Sequence, residues 1–284
     1  MKTILQLSII LFSLLTPAMA EEQGARPRVV SIGGAVTEIV YALGAEETLV
    51  ARDSTSTYPP EALALPDAGY MRALSAEGVM AVRPDLILAV DGAGPPEQLQ
   101  VLRSTGVRIE TIPEGYDGEA VVAKIERIGD LLGRSQEAAE LARKVRDDLA
   151  AAEAENARPE KDRKRVLFVL SLQDGKIRAA GRGTSAEAMI RLAGGVNAVS
   201  DIDGFKAVSP EALATARPDV ILMMARGSHA ATADEVFAHP ALALTPAAAT
   251  RSLVVMDGLH LLSFGPRTAE AVRELARELY GPKT

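Results

Sequence analysis

The sequence predicts an α/β fold in which two Rossmann-like lobes with parallel sheets are joined by one long α-helix, leaving a ligand cleft between the lobes. Three observations lead there. Short β-type runs alternate with segments of helical spacing along most of the 284 residues. One strand-and-helix unit occurs twice: Ser75-Ala76-Glu77 through Arg83-Pro84-Asp85-Leu86-Ile87-Leu88 returns as Ser209-Pro210-Glu211 through Arg217-Pro218-Asp219-Val220-Ile221-Leu222, at a constant offset of 134. Between the copies, Ala120 to about Asn156 is a helical run rich in Ala, Glu, Arg and Lys. Two copies make two similar lobes, since a solenoid needs at least three.

Residues 1–20 have a basic start at Lys2, an apolar run from Ile4 to Leu15 and the ending Ala18-Met19-Ala20, which reads as a secretory signal peptide. The apolar run is short for a membrane span, so the mature chain is expected from near Glu21, exported most simply to a bacterial periplasm. The sequence has no Cys. It therefore offers neither the thiol of a lipoprotein anchor nor a disulfide, and burial alone must hold the fold.

The N-terminal lobe is assigned to residues 21–117. Arg28-Val29-Val30-Ser31-Ile32 reads as a strand, Gly33-Gly34 as a turn, and Thr37 to Gly44 as a helix with a Gly stop. Thr48 to Ala51 reads as a second strand. Ser75 and Glu77 open a short helix that stops at Arg83-Pro84-Asp85, and Leu86 to Val90 follows as a buried strand. Pro95 to Thr105 reads as helix and Arg108 to Ile112 as strand. Residues 118–158 are expected to form the long linking helix, only mildly broken at Gly129 and Gly133. Nearly forty helical residues would span on the order of 55 Å. The C-terminal lobe is assigned to 159–284, from the strand Val166 to Leu170 through the strand Leu253 to Met256, the loop Asp257 to Arg267 and a final helix from about Thr268 to Tyr280.

A formal net charge of −7 argues against nucleic acid or anionic lipid as the main partner. The three His, His229, His239 and His260, are scattered through one lobe and give weak support to a Zn or Mn site. His260, in a Gly-flanked loop, is the one best placed for a cleft. Gly33-Gly34 and Gly181-Arg182-Gly183-Thr184 lack the spacing of a nucleotide loop and fit ordinary helix-opening turns. No Gly-x-Ser-x-Gly elbow and no thiol nucleophile are present, so an enzyme has no positive support. The chain has no Trp, five Tyr and five Phe. Tyr70 lies two residues from Arg72, just after the turn signal Pro66-Asp67-Ala68-Gly69. A phenol bonded to Fe(III) must lose a proton with an unperturbed pKa near 10, and a neighbouring cation favours that. Taken alone, this stretch favours the plainer reading of Tyr70 as an ordinary half-buried loop tyrosine. Glu38 and Glu187 occupy matching places near helix starts in the two lobes. Each could simply favour its own helix, or the two could give a carrier one acidic contact per lobe for a two-fold membrane partner.

The signal peptide, the two lobes with their linking helix, the string Gly69-Tyr70-Met71-Arg72-Ala73-Leu74-Ser75-Ala76-Glu77-Gly78, and the motifs Gly181-Arg182-Gly183-Thr184, Leu192-Ala193-Gly194-Gly195-Val196-Asn197 and Phe264-Gly265-Pro266-Arg267 together resemble the periplasmic haem-binding proteins of ABC importers. The resemblance covers essentially the whole mature chain. Its lobe pattern is shared with siderophore and cobalamin binders, and the Tyr-Met-Arg string is what points to haem. It implies a monomeric carrier, not an enzyme, that holds haem with Tyr70 as axial ligand to Fe(III) and Arg72 hydrogen-bonded to the phenolate. It also implies a propionate contact at Arg226, Leu259 and Phe264 against the porphyrin, and Glu38 and Glu187 docked on arginines of an inner-membrane permease served by its ATPase. Some relatives add a His ligand at the end of the second lobe's first strand. This chain has Ser171-Leu172-Gln173 there, which favours five-coordinate iron unless His260 reaches it. A ferric siderophore or corrinoid carrier is the alternative, and a periplasmic chelatase on the same fold is the enzymatic one.

Overall fold

The computed structural model describes residues 26–173, 175–225 and 230–282. The signal-peptide assignment, Arg226 and His229 lie outside the described residues. The first sheet contains β1 (Val29–Ile32), β2 (Leu49–Arg52), β3 (Leu86–Val90) and β4 (Arg108–Ile112) in the order β2-β1-β3-β4, and every pair in it is parallel. The helices around it are α1 (Gly34–Ala42), α2 (Ala76–Met80) and α3 (Pro96–Ser104). β3 is buried along its whole length, as its uninterrupted apolar run requires of a central parallel strand.

The second sheet contains β5 (Arg165–Gln173), β6 (Lys176–Ala180), β7 (Val196–Asn197), β8 (Phe205–Val208), β9 (Val220–Ala225) and β10 (Leu253–Asp257). Its order is β10-β9-β5-β6-β8, with β7 also on β5. The expected parallel sheet is found for β10, β9, β5 and β7, but β6 and β8 run antiparallel. The reason is a hairpin after β5. Gly175, at φ +69°, lies between the two strands. Helices α6 (Ser185–Leu192), α7 (Pro210–Ala216), the short α8 (Ala233–Phe237), α9 (Pro240–Ala243) and α10 (Pro246–Thr250), then α11 (Gly258–Leu262) and α12 (Thr268–Tyr280), complete this lobe. The segment expected as a plain loop after β10 thus contains α11, whose first turn is capped by Asp257 accepting the His260 N–H at 2.8 Å.

The repeated unit is one joint built twice. In each lobe an arginine in the left-handed region comes just before Pro-Asp, Arg83 (φ 47°) two residues past the C-cap of α2 and Arg217 (φ 44°) at the C-cap of the helix Pro210–Ala216. The aspartate then accepts the backbone N–H of the arginine opening the lobe's first strand, Arg28 to Asp85 and Arg165 to Asp219, both at 2.8 Å. That arginine's guanidinium reaches back to the helix end, to the carbonyls of Val82 and Arg83 in one lobe and of Ala216 in the other.

The long linking helix is corrected. Residues 118–158 form two helices, α4 (Gly118–Leu132) and α5 (Ser135–Asn156). Gly133 adopts φ 67°, ψ 30° as a left-handed C-cap and reverses the chain. The two helices pack antiparallel: Arg146 pairs with Glu119 at 3.0 Å, and Gly129 faces Ala138 so closely that a Cβ there would lie 2.2 Å from it. Only α5, about 33 Å long at 1.5 Å per residue, is left to bridge the lobes. One continuous hydrophobic core runs through both lobes, from Val29, Ile39 and Leu88 through Val121, Ile125, Val145 and Leu149 to Phe168, Leu222, Phe264 and Leu275.

Candidate functional site

The Tyr70 segment crosses the ends of the N-lobe strands and is held on both sides. Toward β2, Arg52 N–H donates to Pro66 O (3.0 Å), Ala68 N–H to Arg52 O (2.8 Å) and Ser54 N–H to Gly69 O (3.0 Å). Toward the loop after β3, Gly94 N–H donates to Met71 O and Leu74 N–H to Gly94 O, both at 2.9 Å. The carbonyls flanking Tyr70 in sequence are therefore both pinned. Gly69, at φ +100°, makes the turn that only glycine adopts freely. Beneath lies Asp53, fully buried, whose carboxylate accepts from the N–H of Gly33 and Thr55 and the hydroxyls of Thr55 and Ser56 at 2.6–2.9 Å. Asp67 accepts from Gly69 N–H at 2.8 Å and pairs with the Arg52 guanidinium at 3.2 Å. The Tyr70 side chain stays 46% exposed on this fixed backbone, the preorganisation a binding residue needs.

Arg72 is exposed beside it. Among the described residues no hydrogen bond joins Arg72 to Tyr70, so the expected donor contact is not formed in this structure. Arg72 acts instead on Tyr116, in the turn after β4. Burial pushes the Tyr116 phenol above its usual range and the carboxylates Glu114 and Asp91 add to that, while Arg72 pulls the other way.

Opposite this loop the C-lobe presents α11 and the turn Phe264 to Arg267. Leu259 is half-buried and reaches across to the N-lobe. A Cβ on Gly34 would lie 2.0 Å from its Cδ1, so this glycine at the start of α1 is what lets the lobes meet. Phe264 is 1% exposed, with its ring edge-on to Tyr116 at a centroid distance of 5.3 Å. Its ring is sealed into the lobe junction, which corrects the expectation that it lies on a porphyrin face. For His260, Nδ1 accepts from Arg267 Nη1 at 3.2 Å and Nε2 lies 3.3 Å from Glu274 Oε2, so both ring nitrogens have protein partners.

Glu38 is the largest correction. It is 4% exposed, and its carboxylate receives Arg267 Nη2 at 2.9 Å and Arg267 N–H at 3.2 Å. α1 is apolar on nearly every side and buried from Gly34 to Val40, so this carboxylate faces the other lobe and not a membrane partner. Glu187 is half-buried in the first turn of α6, where its N–H donates to the Thr184 hydroxyl at 3.1 Å. The matching acids that are exposed are Glu77 and Glu211, from the repeated unit, each in the first turn after a Ser cap. That repeat was legible in the sequence and marked them.

The family model described as periplasmic binding protein matches residues 29–258. The chain belongs to that family. This periplasmic binding protein is similar in structure to the haem-binding protein BhuT in complex with two haems, at TM-score 0.84 and 41% identity over 89% of this chain and 97% of that one. It is similar to the haem-binding protein RhuT from Roseiflexus sp. RS-1 in apo form, at TM-score 0.84 and 39% identity over 89% and 98%. HutB of Vibrio cholerae, a periplasmic haem-binding protein, matches at TM-score 0.79 and 35% identity over 90% and 100%. Curated relatives include the ABC transporter substrate-binding lipoprotein YvrC of Bacillus subtilis, 26% identical over 89% of this chain and 80% of that protein. A vitamin B12-binding protein of Vibrio cholerae is 28% identical over 74% and 75%. No helix among the described residues is long and apolar enough to cross a membrane.

Sequence reasoning missed four residues of the site: Asp53, Tyr116, Lys124 and, as a cross-lobe partner, Arg267. Lys124 on α4 is fully buried and donates to Glu114 Oε1 at 2.8 Å and to Phe264 O at 3.4 Å. A lysine inside the helical run Val121-Val122-Ala123-Lys124-Ile125 was the available signal, because a buried ammonium must find partners.

Proposed function

We propose that the protein captures haem in the interlobe cleft, with the Tyr70 phenolate as axial ligand to ferric iron and no imidazole ligand, and delivers it to an ABC importer. The observation that carries this is an exposed phenol on a backbone pinned at both neighbouring residues. Tyr116, whose proton is held by burial, is the poorer ligand although Arg72 acts on it. With both His260 nitrogens engaged, the iron is five-coordinate. Arg72 is free to turn toward the phenolate once iron binds, and Arg226 is retained as a propionate contact. Export through the signal peptide brings the protein to the periplasm. Docking passes to Glu77 and Glu211, one exposed carboxylate on each lobe.

The test is a haemin titration followed by visible absorption, wild type beside Tyr70→Phe. The wild type should give a tyrosinate-type ferric spectrum. Tyr70→Phe should lose it, with affinity reduced by at least about a hundredfold. An unchanged spectrum and affinity in Tyr70→Phe would refute the ligand assignment. The B12-binding relatives support a second reading, a corrinoid carrier. In that case wild type would bind cobalamin, which brings its own metal ligands, and Tyr70→Phe would be mild.

A further inference from the structure

The C-lobe turn Phe264-Gly265-Pro266-Arg267 is clamped onto the N-lobe from both ends. At one end Lys124, buried in α4, reaches the carbonyl of Phe264, and Phe264 is held at φ +49°, a conformation a bulky side chain seldom adopts unless its surroundings impose it. In the middle, Gly265 lies against α1, where a Cβ would sit 3.5 Å from Ala35 Cβ and 3.6 Å from Glu38 Oε1. At the other end Arg267 uses its backbone N–H and its guanidinium on Glu38. The same guanidinium stacks on the ring of Tyr58, 3.4 Å from the centroid, in the loop that also carries Ser54 and Thr55. His260 holds it from behind and is itself held by Glu274. This is a half-buried cation shared among a buried carboxylate of one lobe, an aromatic face of the same lobe and an imidazole of its own lobe.

We propose that Glu38 and Arg267 are positioning residues for ligand capture: their ion pair sets the spacing of the two cleft walls, so that ligand enters a preset gap and not one that closes around it. Three things favour this over a merely stabilising contact. The pair joins the lobes at the turn between α11, which presents Leu259 to the N-lobe, and α12, which packs on α5. Its stacking partner Tyr58 belongs to the loop whose Ser54 N–H pins Gly69 next to Tyr70. The core that runs through both lobes leaves no separate interface about which they could swing freely.

The wall spacing is tested without any ligand, and retention is tested with haem, the second readout resting on the function proposed above. The sequence has no Cys, so Val101→Cys on α3 and Leu244→Cys after α9, both exposed, take one spin label on each lobe. Their distance distribution in the apo protein should be narrow and unchanged by haemin. Glu38→Gln and Arg267→Ala should broaden it, and should weaken apparent haemin affinity by about tenfold if only about a tenth of molecules keep the competent spacing. Arg267→Lys, which retains a cation within reach of Glu38, should restore most of the narrow distribution. Should the single variants fold poorly, the double variant Glu38→Leu with Arg267→Met keeps the volume apolar and should still broaden the distances. A wild-type distribution in the double variant overturns the proposal, whatever haemin does. Broadened distances in a protein whose wild type ignores haemin would leave the clamp standing and sink the haem reading instead.

Discussion

Asp67→Ala removes the side chain that fastens the Tyr70 loop to β2. Two interactions go with it: the charged acceptor of Gly69 N–H at 2.8 Å and the partner of Arg52 at 3.2 Å. A hydrogen bond to a charged group contributes about 1.5–3 kcal/mol, and the low end applies because water can reach the freed N–H. The Arg52 side chain is 10% exposed and that of Asp67 46%. The ion-pair loss is therefore well below the ~3–5 kcal/mol of a fully buried pair, and about 1 kcal/mol is reasonable after screening. Arg52 has no other carboxylate within bonding distance among the described residues, and its Nε is already without a partner. A total of about 2–3 kcal/mol corresponds to a Tm lower by roughly 4–6 °C for a chain of this size. Thermal unfolding of the apo protein reads that loss. A haemin titration of the same variant should show weaker binding, because the phenol is held in place less of the time. Asp67→Asn keeps an acceptor for Gly69 and should fall between. A Tm within a degree or two of wild type, together with unchanged haemin affinity, would show that the backbone bonds alone hold the loop and would refute the reasoning.

Gly133→Ala places a Cβ in the left-handed turn between α4 and α5. Nothing lies within 4 Å of that Cβ, so only backbone strain of about 1 kcal/mol should appear in chemical denaturation, and an unchanged midpoint would argue against the turn. Glu77→Ala with Glu211→Ala should leave haemin binding intact and stop haem-dependent growth of cells relying on this carrier, whereas normal growth would remove the docking role. Burial holds the folded Tyr116 phenol above its ordinary value of 10.0. Its neutral form is the one the fold favours, so its contribution to stability is complete below pH 10 and fades as pH rises through the higher folded value. The ultraviolet difference titration of wild type against Tyr116→Phe should therefore be centred above pH 10, and a midpoint at or below 10 would contradict the burial argument.

Much of this molecule could be read from its residues, and the failures share a physical form. The strand and helix bounds through Ile112, the Ser75 and Ser209 caps and the doubled Arg-Pro-Asp joint follow from local chemistry, and local chemistry is what a sequence displays. The reversal at Gly133 is hidden in the sequence because helical spacing continues on both sides of it: the apolar stripe Val121, Val122, Ile125 and Ile128 suits a helix folded back on its successor as well as a straight strut. The antiparallel edge of the second sheet turns at Gly175, and a lone glycine between two β-type runs is too common a feature to distinguish a hairpin from a crossover. Glu38 was taken for a surface acid because it has a counterpart in Glu187, yet an acid surrounded by Ala35, Val36, Ile39 and Val40 has to be paired inside. Its partner lies 229 residues away, and no periodicity reaches that far. Phe264 differs from expectation for a related reason: motif proximity says which loop a side chain occupies and nothing of the direction in which it points.

The Arg-Pro-Asp joint gives the molecule an internal control. The same strap closes a helix onto a first strand in both halves, with the arginine N–H held by aspartate at the same length, but the Asp85 copy is open to water and the Asp219 copy is partly enclosed. Cutting each aspartate back in turn compares one covalent design in two solvents within a single polypeptide. The difference between the two losses would measure what enclosure alone does to a charged backbone tether, free of the uncertainty of comparing unrelated proteins.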